Sequence, residues 1–122
     1  MMREIELVIK RPSELEFCEV DFQFQFRQFS ALEIDLKHIN RNGRNHFDLI
    51  EALDLTLCFI KEGMLSSSDE KIYGEIYCEY FVLIGLWKGK TFKLVTCTCS
   101  DRPDNLGVIT IYRTKDLRNE SL

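Results

Sequence analysis

The chain has 122 residues, of which 45% are hydrophobic and 11% aromatic, and its formal net charge is −4. That composition can fill one hydrophobic core, which excludes global disorder, and the acidic balance excludes a nucleic-acid surface spread over the whole molecule. No apolar run approaches the ~18 residues a membrane helix needs, and Met1–Glu6 alternates charged and apolar side chains where a secretory leader would be uniformly apolar, so no membrane contact and a cytoplasmic location are expected.

Arg3 to Lys10 reads as a strand, broken by Arg11-Pro12-Ser13 because proline cannot donate to a ladder and restricts the residue before it. Cys18, Val20, Phe22, Phe24 and Phe26 then alternate with Glu19, Asp21, Gln23, Gln25 and Arg27. Alternation of that length predicts a strand with one buried and one wet face. Leu32, Ile34 and Leu36 resume the parity in a further strand, after a bulge or short turn at Phe29-Ser30-Ala31.

Asn40 to Asn45 is a loop by composition. Asn45 is expected to cap a helix over residues 47–62, with Asp48 in its first turn and Gly63 as its terminator. Leu49, Ile50, Leu53, Leu57 and Ile60 recur at three- and four-residue spacing and mark its buried face. Ser66 to Glu70 reads as a mobile polar linker. Ile72–Leu86 and Thr91–Cys99 are strands joined by a hairpin turn carried by Gly89. Ser100 to Gly107 is a surface turn, Val108–Arg113 the closing strand, and residues 114–122 a charged tail.

The fold class expected is therefore α+β: one amphipathic helix (about 47–62) packed on a mostly antiparallel sheet of about five strands, in the order β-β-(β)-α-β-β-β. The chain reads as one domain over residues 1–122, with N-terminal strands over 3–36, a three-strand meander over 72–113 and the tail. A single helix leaves the second sheet face partly open.

Five cysteines occur, at 18, 58, 78, 97 and 99. The number is odd and Cys-x-x-Cys pairs are absent, so neither a disulfide framework nor a metal site is expected. Cys97 and Cys99 share one strand face; buried small hydrophobes are the ordinary reading, a redox or metal role the other.

Lys37, His38, Arg41, Arg44 and His46 fall within ten residues before the helix, and both histidines of the protein lie there. Such a loop is commonly just solvated, but guanidinium groups and helix amides can also hold a phosphate, beside imidazoles that titrate near neutrality. Lys88, Lys90 and Lys93 around the hairpin are ordinary turn decoration. On the closing strand Thr110 and Tyr112 share a face, from which Arg113 points away, and they would help line a site if that face is the wet one. No Gly-rich phosphate loop or Gly-x-Ser-x-Gly elbow is present, and no cofactor is expected.

Lys37-His38, Phe47 to Leu53, Tyr80 to Gly85, Leu94-Val95 and Val108 to Arg113 together resemble the small BrnT-like and RelE/ParE-like toxin domains over about residues 36–115. There a basic Lys-His segment leads into a helix, and a meander ends in a strand of the form Ile-x-x-x-Arg. The resemblance implies metal-free RNA cleavage and a cognate antitoxin bound over the sheet. His38 would be the acid/base, Arg41, Arg44 or Arg113 the phosphate clamp, and Tyr112 an orienting or stacking group. Lys37 and Thr110 would line the RNA site.

Two features lie outside that pattern: the acidic net charge, and an N-terminal strand with three alternating phenylalanines. They suggest two rivals, a homo-oligomeric interaction module joined through Phe22, Phe24 and Phe26, and an acidic immunity- or antitoxin-like protein.

Overall fold

A computed structural model describes residues 15–43 and 45–114. The strand expected at 3–10, its Pro12 break, Arg44 and the tail from 115 lie outside the described residues. Strand β1 (Glu16–Phe24) turns into β2 (Arg27–Ile34) as an antiparallel hairpin closed by the Phe24↔Arg27 pair. The reversal falls on Gln25 and Phe26, at φ 52° and 64°, and not at Phe29-Ser30-Ala31. Two successive left-handed residues match the twist of a hairpin, even though neither is Gly or Asn. The irregularity in register lies in β1, between Glu19 and Phe22.

The alternating phenylalanines are not a free surface. Phe24 is buried, Phe22 stacks on buried Phe29 with centroids 5.4 Å apart, and Phe26 stands fully exposed at the turn. The chain's own core therefore takes up Phe24 and part of the Phe22 ring.

After β2 come a single helical turn, α1 (Leu36–Ile39), and a 3-10 turn over Arg41–Gly43. Helix α2 (Leu49–Glu62) follows. Its N-cap is Asp48, not Asn45: the Asp48 carboxylate accepts from the Glu51 amide, and the Glu51 carboxylate accepts from the Asp48 amide. This reciprocal box satisfies two otherwise orphan donors. Gly63 ends the helix at φ −72°, so its role is space and not left-handed backbone; a Cβ there would sit 2.6 Å from the Phe59 carbonyl oxygen.

The buried stripe of α2 is Ala52, Leu55, Thr56 and Phe59. The expected stripe lies one flank over: Leu49, Leu53, Leu57 and Ile60 pack only partly, and Ile50 is 69% exposed. Phe59 determines the orientation by seating its ring on Gly85, where an added Cβ would lie 3.1 Å from the ring carbons. Burying Leu55 and Phe59 fully stabilises by about 1.5–3 kcal/mol each.

The expected five-strand, one-helix arrangement needs correction. Among the described residues six strands form one mixed sheet in the order β1-β2-β6-β5-β4-β3, and two short helices interrupt the chain between β2 and β3. The presumed linker at Ser66 to Glu70 belongs to β3 (Met64–Tyr73). The presumed long strand from Ile72 reverses at Gly74, φ 64°, into β4 (Ile76–Trp87). Strand β5 (Lys90–Cys99) follows through Lys88-Gly89, as the sequence predicts.

Strand β6 (Arg102–Arg113) starts well before the expected Val108. It lies parallel to β2 from Asn105 to Val108; the other neighbouring strands are antiparallel. Pro103 is accommodated because β2 pairs with β6 only from Asn105 onward, so the missing donor falls outside that ladder.

The sheet curls around its core. Phe24 at one edge reaches Phe81 on β4, edge to face at 5.4 Å, and the Arg27 guanidinium reaches Glu79 at 3.0 Å. Helix α2 covers the face carrying Phe81, Leu83, Phe92, Leu94 and Val108. At the parallel junction, Glu33 is 7% exposed and accepts from Arg102 Nη1 at 2.6 Å and Asn105 Nδ2 at 2.8 Å. A buried carboxylate is tolerated when paired and hydrogen-bonded in this way. Among the described residues no helix is long and apolar enough to cross a membrane.

Candidate functional site

The corner where β2 ends beside β6 is where the basic loop acquires geometry. Strand β2 stops at Ile34 while β6 runs on to Arg113, which leaves the carbonyls of its second half without a strand partner on that side. The polypeptide after β2 supplies the substitute donors. The Asp35 amide donates to the Val108 carbonyl at 3.0 Å. His38 Nδ1 bonds to the Ile109 carbonyl at 2.8 Å, and Asn45 Nδ2 to that of Ile111 at 2.6 Å.

Ile109 is the extra residue of a bulge: Thr96 pairs with Val108 and Val95 with Thr110, so Ile109 is skipped. Bulges re-aim groups beside functional sites, and here the skipped residue's carbonyl meets α1.

This contact determines the state of the imidazole. A carbonyl can only accept, so Nδ1 carries a proton, and a guanidinium can only donate, so its contact with Nε2 requires the lone pair there. The Arg41 guanidinium donates to Nε2 at 2.6 Å. The His38 amide is itself capped by the Asp35 carboxylate at 3.1 Å. Asn40 closes the loop beyond by exchanging two hydrogen bonds with the Phe47 backbone, at 2.7 and 3.0 Å. An open, shallow depression next to this corner is lined by Glu16, Leu36, Lys37, Asn40 and Arg41.

The structure thus brings together His38, Arg41 and Lys37 from the predicted set. Thr110 and Tyr112 lie on the sheet face away from α2, in register with Val95 and Lys93. The Thr110 hydroxyl is buried without a hydrogen-bond partner. Tyr112 is half-buried and makes no hydrogen bond to His38. Arg113 is exposed and points to the opposite side, where its register partner is Phe92. His46 is exposed, and Phe47 beside it packs on Phe92 with centroids 5.8 Å apart.

Two participants escaped sequence reasoning. Asn45 was legible only as a cap, whereas it bridges the carbonyls of Ile39 and Ile111. The Ile109 carbonyl had no signal, because a bulge inside a β-branched run leaves no mark in composition.

The same sheet face, turned away from α2, carries a sulfur cluster. Cys97 and Cys99 Sγ lie 3.6 Å apart, and Cys78, opposite Cys99 in register, is in disulfide contact with it. The pairing was not expected from an odd cysteine count; the β4–β5 register creates it. Burial pushes the Cys97 thiol up to about 11, while a hydrogen bond with Tyr80 and the nearby Arg102 pull the other way. Burial likewise raises Tyr80, whose hydroxyl lies 3.3 Å from that of Tyr73.

No family model matches this chain, no curated protein matches it in sequence, and no solved structure matches its fold.

Proposed function

We propose that this chain is a BrnT/RelE-like toxin-type domain that cleaves RNA phosphodiesters at the His38–Arg41 corner, using side chains alone. The observation that carries the reading is the imidazole held by the Ile109 carbonyl through Nδ1, with its basic Nε2 turned outward onto a guanidinium. A general base needs that orientation and tautomer before substrate arrives.

In the reaction, Arg41 moves from Nε2 to a phosphate oxygen. His38 Nε2 then takes the proton of the ribose 2′-OH. The 2′ oxygen attacks phosphorus, the bond from phosphorus to the 5′ oxygen breaks, and that oxygen leaves with a proton from water or from a second acid. Lys37 and Arg41, both exposed, supply local positive charge on an acidic chain. A cognate antitoxin would bind over the sheet.

The test is cleavage of an oligoribonucleotide by wild type and by His38→Ala/Arg41→Ala. Cleavage that the double variant loses supports the reading, and equal residual cleavage removes it.

A further inference from the structure

The sheet face turned away from α2 carries a constellation that the His38 corner does not use. Cys78 on β4 and Cys97 and Cys99 on β5 present their Sγ atoms within 4.8 Å of one another. Strand alternation puts Cys97 and Cys99 on one side, and the hairpin register sets Cys78 across from Cys99. We propose that, with its three thiols reduced, this cluster binds one thiophilic d10 metal ion of the zinc, cadmium and copper(I) class.

The geometry fits that chemistry. Metal–sulfur bonds of about 2.3 Å place coordinating sulfurs roughly 3.7–4 Å apart. The Cys97–Cys99 separation of 3.6 Å is already close to that, and both residues are part-buried and keep some solvent contact. Cys78, 4% exposed, forms the floor. Soft thiolates without imidazole or carboxylate select soft cations over magnesium or calcium.

The surroundings suit the charge. Three thiolates around a divalent ion leave one net negative charge. Lys71, opposite Cys78 on β3, supplies a cation beside the cluster, whereas Arg102, opposite Cys99 on β6, is shared with Glu33 and Asp101. The Tyr80 side chain hydrogen-bonds with Cys97 and would hold a thiolate there in a fixed direction.

A disulfide between Cys78 and Cys99 supplies no thiolate, so the metal form and the bridged form exclude one another. Conversion takes two electrons. A dithiol reductant attacks one sulfur of the bridge, the Cys78–Cys99 bond breaks, both cysteines leave as thiols, and the reductant closes to its own disulfide. Metal binding then displaces the three thiol protons. The site is thereby open to a cation only in a reducing environment.

Cadmium ion is the probe, titrated without oxygen into the dithiol-reduced full chain after the reductant has been removed. The expected result is a sulfur-to-cadmium charge-transfer band in the ultraviolet that saturates at one equivalent, and an X-ray absorption spectrum with three sulfur neighbours. Cys18→Ser/Cys58→Ser should keep both signals, since those thiols lie outside the cluster. Cys97→Ser, shown folded by circular dichroism, should lose them. No saturable band in the reduced wild type, fewer than three sulfur neighbours, or a band that survives Cys97→Ser and disappears with Cys18 and Cys58 would overturn the proposal. The absorption spectrum depends on no variant, so a misfolded substitution leaves the test intact.

Discussion

Replacing His38 by Asn separates its two roles. In the native chain Nδ1 holds the Ile109 carbonyl at 2.8 Å, and Nε2 meets Arg41 at 2.6 Å. An asparagine amide can donate from nearly the position of Nδ1 but offers nothing at the position of Nε2. The half-buried Nδ1 bond should contribute about 1 kcal/mol. His38→Ala is therefore expected to destabilise by about that amount, moving Tm by roughly 3–5 °C for a domain of this size. His38→Asn should recover most of it. Cleavage should behave otherwise, because a lost general base costs about 100- to 10,000-fold whichever residue replaces it. Urea unfolding gives the stability arm, and a quenched oligoribonucleotide with an all-2′-deoxy control gives the activity arm. An asparagine variant that cleaves within about threefold of wild type would show that the imidazole only fastens the bulge.

Other substitutions probe the frame that holds this corner. Gly85→Ala drives a methyl to 3.1 Å from the Phe59 ring and should cost about 1–3 kcal/mol in urea unfolding. Much of that cost should vanish in a Phe59→Leu background, and strictly additive losses would disprove the contact. Phe26→Gly places the residue suited to φ 64° at a fully exposed turn, so thermal unfolding should show a gain of about 0.5–1 kcal/mol; a loss would mean that Phe26 contributes packing. Protein with the Cys78–Cys99 bridge intact should lose stability as pH rises from about 9 to about 11, because burial holds the folded Cys97 thiol up to about 11 from an ordinary 9.0. The folded state binds that proton more tightly than the unfolded one, so the contribution is full below pH 9 and gone above 11. It amounts to at most on the order of 2 kcal/mol, less for the part-exposed face. Cys97→Ser should flatten the decline between urea midpoints at pH 8 and 10.5, and an unchanged slope would refute the assignment.

Patterns along the chain decided what could be decided locally. The three- and four-residue apolar spacing announces α2, although its cap is Asp48 and not Asn45, and Lys88-Gly89 turns a hairpin because glycine accepts positive φ. Alternation from Cys18 to Phe24 places the phenylalanines on one face. The loop before α2 is polar and basic in any fold, so Lys37, His38 and Arg41 could be singled out without coordinates.

What required the tertiary structure is what depends on partners distant in sequence. Gln25-Phe26 carries no turn-forming residue, and the pairing of Phe24 with Arg27 is what forces the reversal. Ser66 to Glu70 is a strand because β4 offers it a ladder, although its side chains stay in water and leave no hydrophobic period. The parallel contact of β2 with β6 joins residues about seventy positions apart and has no local signature. That contact ends one strand before the other, and the bulge at Ile109 then turns a carbonyl toward His38. Residue types and periodicity are inherited from the sequence one position at a time, whereas a hydrogen bond between an imidazole and a carbonyl 71 residues away exists only once the sheet has set both in place.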